Sequence, residues 1–204
     1  VNLGGTLTNT GTTLTLNATT GSWNLAGGTI LGGTINSSAG GQLVPTTTFS
    51  TLDGVTLNGD FSMGPDHRLR ILNGLTLNGT ATIGSDALVD IVGTQSLLGS
   101  GTILFSATAF QTHQGLRLAN DNTTLTIGPD ITVRGGNGFI GYSNGWWNGG
   151  NNVSVINQGM ISADIANRTI DVVARGNGTI TNQGTMKAMG GGLYTERLIN
   201  TSTA

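Results

Sequence analysis

Charged side chains and cysteine are scarce in this sequence. Its 204 residues include no cysteine and three prolines, and only 9% are charged, whereas an average soluble domain is about 25% charged. The first charged side chain is Asp53. Because low charge favours association, we expect a segment that packs within a larger assembly. The lack of disulfides is compatible with secretion if backbone hydrogen bonds stabilise the fold.

Three classes of protein are disfavoured by the same composition. The net charge of −2 and the single lysine provide no basic surface for nucleic acid. No apolar run approaches the roughly 20 residues that a membrane helix needs, so we expect no membrane insertion of this segment. Disorder requires low hydrophobicity with high net charge, but 36% of the residues are hydrophobic. No signal peptide is visible, and we expect a processed form or segment of a larger secreted protein.

Short alternating strands are the commonest local pattern. Triplets such as Leu14–Leu16, Val55–Leu57 and Leu125–Ile127 place two aliphatic side chains on one face and a threonine on the other. Strands of this length are stable only when they stack on neighbours. Helical periodicity is missing, because glycine and β-branched residues interrupt every candidate window.

Repetition distinguishes a solenoid from an antiparallel sandwich, although Asn-Gly pairs also favour hairpins. The motif at Val55–Gly59 recurs at Leu75–Gly79, a shift of 20 residues, and that at Ile156–Gly159 recurs at Thr181–Gly184, a shift of 25 residues. A period of this size is typical of solenoids. We therefore predict an all-β, right-handed parallel β-helix of roughly nine coils. It forms one domain over residues 1–204, with a loop excursion around 135–152.

Two segments carry a recognisable family pattern. Ile156–Ala163 and Ile180–Ala188 resemble the N-x-G-x-I-x-A coils of filamentous-haemagglutinin-like adhesins, and the earlier Leu-Thr-Leu-Asn-Gly units are similar to autotransporter-passenger repeats. The resemblance covers most of the chain in composition, but only residues 153–190 carry a definable motif. It implies an extracellular rod made by large secreted proteins, often for attachment or biofilm formation. We therefore predict a structural solenoid of a bacterial surface or matrix, either an adhesin rod or a head-to-tail filament building block, and not an enzyme. Expected partners are other copies of the chain, stacked end to end, and surface glycans.

The aromatic segment Tyr142–Gly149 is the main candidate contact site. Trp146 and Trp147 are adjacent in a Gly/Asn-rich loop, so both cannot point into a narrow core. Exposed aromatic residues often mark binding surfaces, and Tyr142, Trp146 and Trp147 are therefore the candidate glycan or subunit contacts. In the alternative interpretation, one tryptophan folds onto the solenoid as a lid and the other fills a subunit contact.

A carbohydrate-active β-helix enzyme is the alternative function, and it requires clustered carboxylates. The candidate acids are Asp53, Asp60, Asp66, Asp86 and Asp90. The motifs Asn-Thr-Asp, Asp-Asp and Gly-His-Gly of pectinase-like families are missing. The nearest approach to a reactive cluster, Gly64–Arg68, contains a Pro-Asp pair that is typical of a turn. We therefore predict no catalytic residues.

Metal binding and ice binding complete the alternatives. His67 and His113 are isolated, and the Ca²⁺-binding Gly-Gly-x-Gly-x-Asp repeat is missing, so we expect no metal site and no cofactor; a structural Ca²⁺ at an aspartate corner stays open. Ice-binding solenoids display flat arrays of Thr-x-Thr pairs, but outward threonine is also an ordinary filler of exposed strand positions. Such pairs occur irregularly, at Thr6/Thr8, Thr13/Thr15, Thr46/Thr48, Thr80/Thr82 and Thr124/Thr126.

Overall fold

The computed structural model describes residues 1–107, 109 and 112–201. Within the predicted 1–204 domain, residues 108, 110, 111 and 202–204 therefore lie outside the described residues. The described chain forms 25 strands. It contains no helix that could cross a membrane. In chain order the strands are β1 (Asn2–Leu3), β2 (Thr6–Thr8), β3 (Thr13–Leu16), β4 (Trp23–Leu25), β5 (Thr29–Leu31), β6 (Thr34–Ser37), β7 (Leu43–Pro45), β8 (Ser50–Asn58), β9 (Phe61–Met63), β10 (Arg68–Leu77), β11 (Thr80–Ile83), β12 (Leu88–Val92), β13 (Gln95–Leu98), β14 (Thr102–Phe105), β15 (Gln114–Leu118), β16 (Thr124–Ile127), β17 (Thr132–Gly135), β18 (Gly138–Gly141), β19 (Ser154–Asn157), β20 (Met160–Ala163), β21 (Thr169–Val173), β22 (Ile180–Asn182), β23 (Thr185–Ala188), β24 (Gly192–Thr195) and β25 (Leu198–Asn200).

All pairings between these strands are parallel. Strands of the inner coils pair with their equivalents in the coils before and after, except that β7 and β9 are not paired with each other. The first face consists of two sheets that are not hydrogen-bonded to each other, a three-stranded sheet of β1, β4 and β7 and a six-stranded sheet of β9, β11, β14, β17, β20 and β23, and β7 lies next to β9. The second face runs through β2, β5, β12, β15, β18, β21 and β24, and the third through β3, β6, β13, β16, β19, β22 and β25. The long strands β8 and β10 belong to both of these faces. Each face holds nine strands, so the chain makes about eight turns from the first strand of a face to the last. The predicted parallel β-helix of roughly nine coils is confirmed, while its right-handedness stays a prediction.

The core lies inside the three faces and is built from columns of aliphatic side chains. One column contains Ile30, Leu52, Ile71 and Ile91, which pair from coil to coil and are at most 2% exposed. Alternation along each strand leaves threonine and other polar residues outside. The coil length varies, because paired residues are 18 positions apart at Ile180 and Leu198 but 30 apart at Thr124 and Ser154. Loops between the strands absorb this difference, and the ladder continues.

Corners and polar ladders explain the abundance of glycine and asparagine. Asn73 and Gly74 have φ values of 52° and 88° and turn β10 from one face to the next. Asn58 donates its side-chain amide to Asn36 at 2.9 Å, and Asn78 donates to Asn58 at 2.8 Å. Such bonds satisfy polar groups between coils. The Asn-Gly pairs are therefore corners of a solenoid and not hairpin turns.

The predicted excursion around residues 135–152 is corrected by the strand bounds. Gly138–Gly141 is strand β18, so the segment that leaves the solenoid begins only at Tyr142. Glycine is required at this strand position because a Cβ on Gly138 would lie 2.1 Å from Cδ2 of Phe105. The glycine-rich composition here reflects close packing over a core aromatic ring and not a loop.

Candidate functional site

One part of the second face is covered on its outer side as well as its inner side. Leu88 of β12 and Phe139 of β18 point outward but are only 1% and 4% exposed. A Cβ on Gly115 would lie 2.5 Å from the Phe139 ring, so this ring lies flat across the outer surface of β15. The glycine leaves room for an apolar layer outside the solenoid.

Arg117 connects this outer surface to the loop Tyr142–Gly149, which we call the aromatic loop. The guanidinium donates to both carboxylate oxygens of Asp90, at 2.7 and 2.9 Å, and to the carbonyl oxygen of Trp147 at 2.9 Å. Asp90 is only 3% exposed. The loop also closes on itself, because Ser143 and Asn148 exchange main-chain hydrogen bonds of 3.1 Å in both directions. The hydrogen bond from Arg117 therefore holds the aromatic loop against the outer surface of the earlier coils.

The three aromatic residues predicted as contacts have different environments. Tyr142 is 9% exposed and packs against the core, and the Arg175 guanidinium lies 4.6 Å from its ring centroid. Trp147 is partly buried with the Arg68 guanidinium 4.6 Å from its ring, and its Nε1 has no hydrogen-bond partner among the described residues. Trp146 is 58% exposed and stacks on His113, with ring centroids 3.7 Å apart. Of the three, Trp146 presents a large open aromatic surface.

A cleft of about 320 Å³ opens beside Trp146. Its floor is a cross-strand row in which Phe139 of β18 pairs with Asp171 of β21, and Asp171 pairs with Tyr194 of β24. Its lining also includes His113 and Arg168. Tyr194 is 47% exposed, so exposed aromatic side chains and one carboxylate line the same cleft. We call this the Trp146 cleft.

The electrostatics of the Trp146 cleft centre on Asp171. Partial burial raises the pKa of its carboxyl above the usual value of 3.8, and the nearby His113 opposes that shift. The Tyr194 hydroxyl is hydrogen-bonded to Glu196, and this bond raises the pKa of the exposed phenol. The floor therefore offers an acceptor that a ligand with hydroxyl groups can satisfy.

The aspartates considered for catalysis serve mainly as structural acceptors, and none lines the Trp146 cleft. Asp53 accepts from the Asn73 side chain at 2.7 Å, and Asp60 accepts from the Thr80 main chain at 2.6 Å. Asp86 accepts from the main-chain N–H of His113 at 2.9 Å. Asp90 is paired with Arg117 as described, and Asp66 lies 3.9 Å from Arg68.

The segment Gly64–Arg68 is the turn that its Pro-Asp pair predicts. Asp66 has a φ of 60°, and the Gly64 main-chain N–H donates to Nδ1 of His67 at 2.9 Å. Partial burial lowers the pKa of His67, Asp66 raises it and Arg68 lowers it further. Within residues 1–107, 109 and 112–201, no cluster of three His, Cys, Asp or Glu side chains could hold a metal ion.

Asp171, Tyr194, Phe139 and His113 were not predicted as site residues. Each is a single polar or aromatic residue in an ordinary strand or loop sequence, and only the parallel register brings them together. The one available signal was the outward position of Asp171 between the buried Ile170 and Val172.

Comparisons with known proteins add no candidate, since no family model, curated protein or solved structure matches this chain.

Proposed function

We propose that this chain is a structural rod of an extracellular bacterial surface or matrix, of the adhesin type. The observation that carries the proposal is the parallel ladder that runs unbroken along the second and third faces for nine strands, with two shorter parallel sheets stacked along the first face. Each added coil repeats the same hydrogen bonds and aliphatic columns, so length is gained without a new core. The aromatic loop supplies one specialised surface on an otherwise regular scaffold. The resemblance of Ile156–Ala163 to adhesin coils supports the same proposal.

Electron microscopy of the native material, combined with antibody labelling of intact cells, tests this function. We expect rods of uniform width with the roughly 4.8 Å axial repeat of stacked strands, labelled without permeabilising the cells. Labelling only after permeabilisation would contradict the surface location. Globular particles would contradict the rod.

End-to-end stacking of copies is the proposed mode of assembly. Strand β25 is an edge in the described sheet order, and its Leu198 and Ile199 are 45% and 46% exposed. Apolar side chains on a strand edge favour pairing with another strand. We expect the double variant Leu198→Lys, Ile199→Lys to shorten rods in sedimentation velocity, while Leu98→Lys on an inner coil leaves their length unchanged. Equal rod lengths for the parent, the double variant and Leu98→Lys would exclude this edge as the contact between copies.

A carbohydrate-active enzyme is the alternative function, and the raised pKa of Asp171 favours it. A raised pKa is the direction that a general acid needs, but glycoside cleavage uses a pair of carboxyl groups, and none of the other described residues that line the cleft carries one. The enzyme hypothesis predicts that polysaccharides gain reducing ends in the presence of the protein, and that Asp171→Asn abolishes this release. No release from any neutral polysaccharide would exclude it.

One observation favours ice binding as a further alternative function. Thr13, Thr34, Thr56 and Thr76 form one column in register, beside a second column of Thr15, Asn36, Asn58 and Asn78. Among the predicted pairs, Thr13/Thr15 belongs to this array. If the array binds ice, the protein produces thermal hysteresis that Thr56→Tyr abolishes and Thr102→Tyr on another face retains. No hysteresis in the parent protein would exclude this function.

A further inference from the structure

The Trp146 cleft has the features of a small-ligand site rather than of a structural surface. Its volume of about 320 Å³ lies at the lower end of the range for ligand pockets, about 300–1,000 Å³. Trp146 and Tyr194 expose aromatic surface within it, at 58% and 47%. Exposing two large aromatic side chains around one cleft is unfavourable unless a partner covers them.

The position of Trp146 is fixed before any ligand arrives. Its ring stacks on His113 at 3.7 Å with an interplanar angle of 26°, so one aromatic face is occupied and the other is available. The neighbouring Trp147 is bound through its carbonyl oxygen to Arg117. A preorganised aromatic platform reduces the entropy lost on binding.

The charges of the cleft disfavour an ionic ligand. The half-buried carboxylate of Asp171 on the floor repels anions, whereas the guanidinium of Arg168 in the lining repels cations. A neutral ligand with apolar faces and a rim of hydroxyl groups fits both the aromatic rings and the carboxylate. Sugar hydroxyls can donate to Asp171, and the C–H face of a pyranose ring can stack on Trp146 or Tyr194.

We propose that the Trp146 cleft binds a neutral pyranose unit of a glycan, with Trp146 and Tyr194 as stacking surfaces and Asp171 as the acceptor for ring hydroxyl groups. This assigns the ligand class of the proposed adhesin rod and rests on that function for its biological meaning. The binding itself is measured independently of rod formation. Trp147 supports the loop from outside the lining, whereas Tyr142 lines the cleft from a largely buried position.

Saturation-transfer NMR with methyl pyranosides of glucose, galactose, mannose and N-acetylglucosamine tests the site. We expect transfer to the ring C–H protons of at least one probe. Trp146→Ala should abolish it, and Asp171→Asn should weaken the affinity by about tenfold or more, because a hydrogen bond to a charged acceptor is lost. The matched controls are Leu98→Ala, an exposed apolar residue on another face, and Asp130→Asn, an exposed corner aspartate; both should bind as the parent does.

Circular dichroism of each variant establishes that the fold is retained, and Trp146→Phe should restore part of the binding lost in Trp146→Ala. A glycan array that includes sialylated and sulfated chains distinguishes the ligand class. Binding to acidic glycans alone would overturn the proposal, as would no transfer to any of the four probes, or equal transfer in Trp146→Ala. Binding of the pyranosides by a protein that forms no rods would retain this site and reject the structural function.

Discussion

Arg117 and Asp90 form a bidentate ion pair between adjacent coils on the outer surface of the solenoid, with N–O distances of 2.7 and 2.9 Å. The pair lies beneath the aromatic loop, because the same guanidinium donates to the carbonyl oxygen of Trp147. The Asp90 side chain is only 4% exposed, and that of Arg117 is 22% exposed. The pair therefore connects the ladder to the loop that carries Trp146.

We expect Arg117→Met to destabilise the protein by about 3 kcal/mol, because it leaves the buried Asp90 carboxylate unpaired. It should also release the aromatic loop, so amide hydrogen exchange should accelerate in Tyr142–Gly149 at neutral pH. Urea denaturation measures the first effect and exchange mass spectrometry the second.

The matched control is Arg134→Met. Arg134 forms a similar pair with Asp164 at 2.8 Å, but its side chain is 43% exposed, so its loss should cost at most about 1 kcal/mol. Equal costs for the two variants would show that burial does not distinguish the pairs. Unchanged exchange in Arg117→Met would show that Arg117 does not hold the loop.

The fold could be predicted because its signals are local and repeated. The alternation at Leu14–Leu16 and Val55–Leu57 marks strands, and these strands are observed within β3 and β8. The recurrence of Val55–Gly59 at Leu75–Gly79 corresponds to the observed pairing of Val55 with Leu75. Strand bounds near glycine were less predictable, since Gly138 packs over Phe105 of an earlier coil.

The site could be predicted only in part. The aromatic loop was evident from its adjacent tryptophans, but which one faces outward depends on contacts from Arg117 to positions 27 and 30 residues away. The residues of the cleft floor were missed for a similar reason. Asp171 and Tyr194 are 23 residues apart in the sequence and are brought together by the register of β21 and β24.

The internal asparagine ladder provides a second prediction. Asn157 is fully buried and its side-chain amide donates to Asn182 at 2.8 Å and to the Thr185 carbonyl oxygen at 3.1 Å. Replacing it by alanine leaves the buried side-chain oxygen of Asn182 without this donor, and an unsatisfied buried acceptor costs about 1–3 kcal/mol. We expect a loss of roughly that size or more in urea denaturation.

Gln158→Ala is the matched control for Asn157→Ala. The adjacent Gln158 makes the same kind of ladder bond to Gln183, at 3.0 Å, but on the exposed surface, where water can replace the partner. It should change stability by at most about 0.5 kcal/mol. A similar cost for both substitutions would argue against a specific role for the buried amide.

The third prediction concerns the close approach at Gly138. Gly138→Ala would place a methyl group 2.1 Å from the Phe105 ring, and overpacking of this kind typically costs about 1–3 kcal/mol. Gly5→Ala is the control, because nothing lies within 4 Å of a Cβ at Gly5. In thermal denaturation, Gly138→Ala should have a clearly lower melting temperature than both Gly5→Ala and the parent. If Phe105→Leu restores stability to Gly138→Ala, the ring is confirmed as the cause.

The fourth prediction follows from the raised pKa of Asp171. The folded state retains this proton to a higher pH than the unfolded state, so folding stability falls as pH rises from about the usual value of 3.8 through the folded pKa. Asp171→Asn removes that cost. We expect the variant to be more stable than the parent at neutral pH, with the difference vanishing well below 3.8, as measured by urea denaturation across the pH range.

The control Asp130→Asn removes one negative charge from an exposed corner and reports the general effect of net charge on stability. A stability difference between Asp171→Asn and the parent that is independent of pH would contradict an ionised, destabilising Asp171.

In the expected case, the carboxylate lowers the stability of the free protein. A saturating pyranoside should then stabilise the parent more than Asp171→Asn at neutral pH, because only the parent gains a hydrogen-bonded partner for that charge.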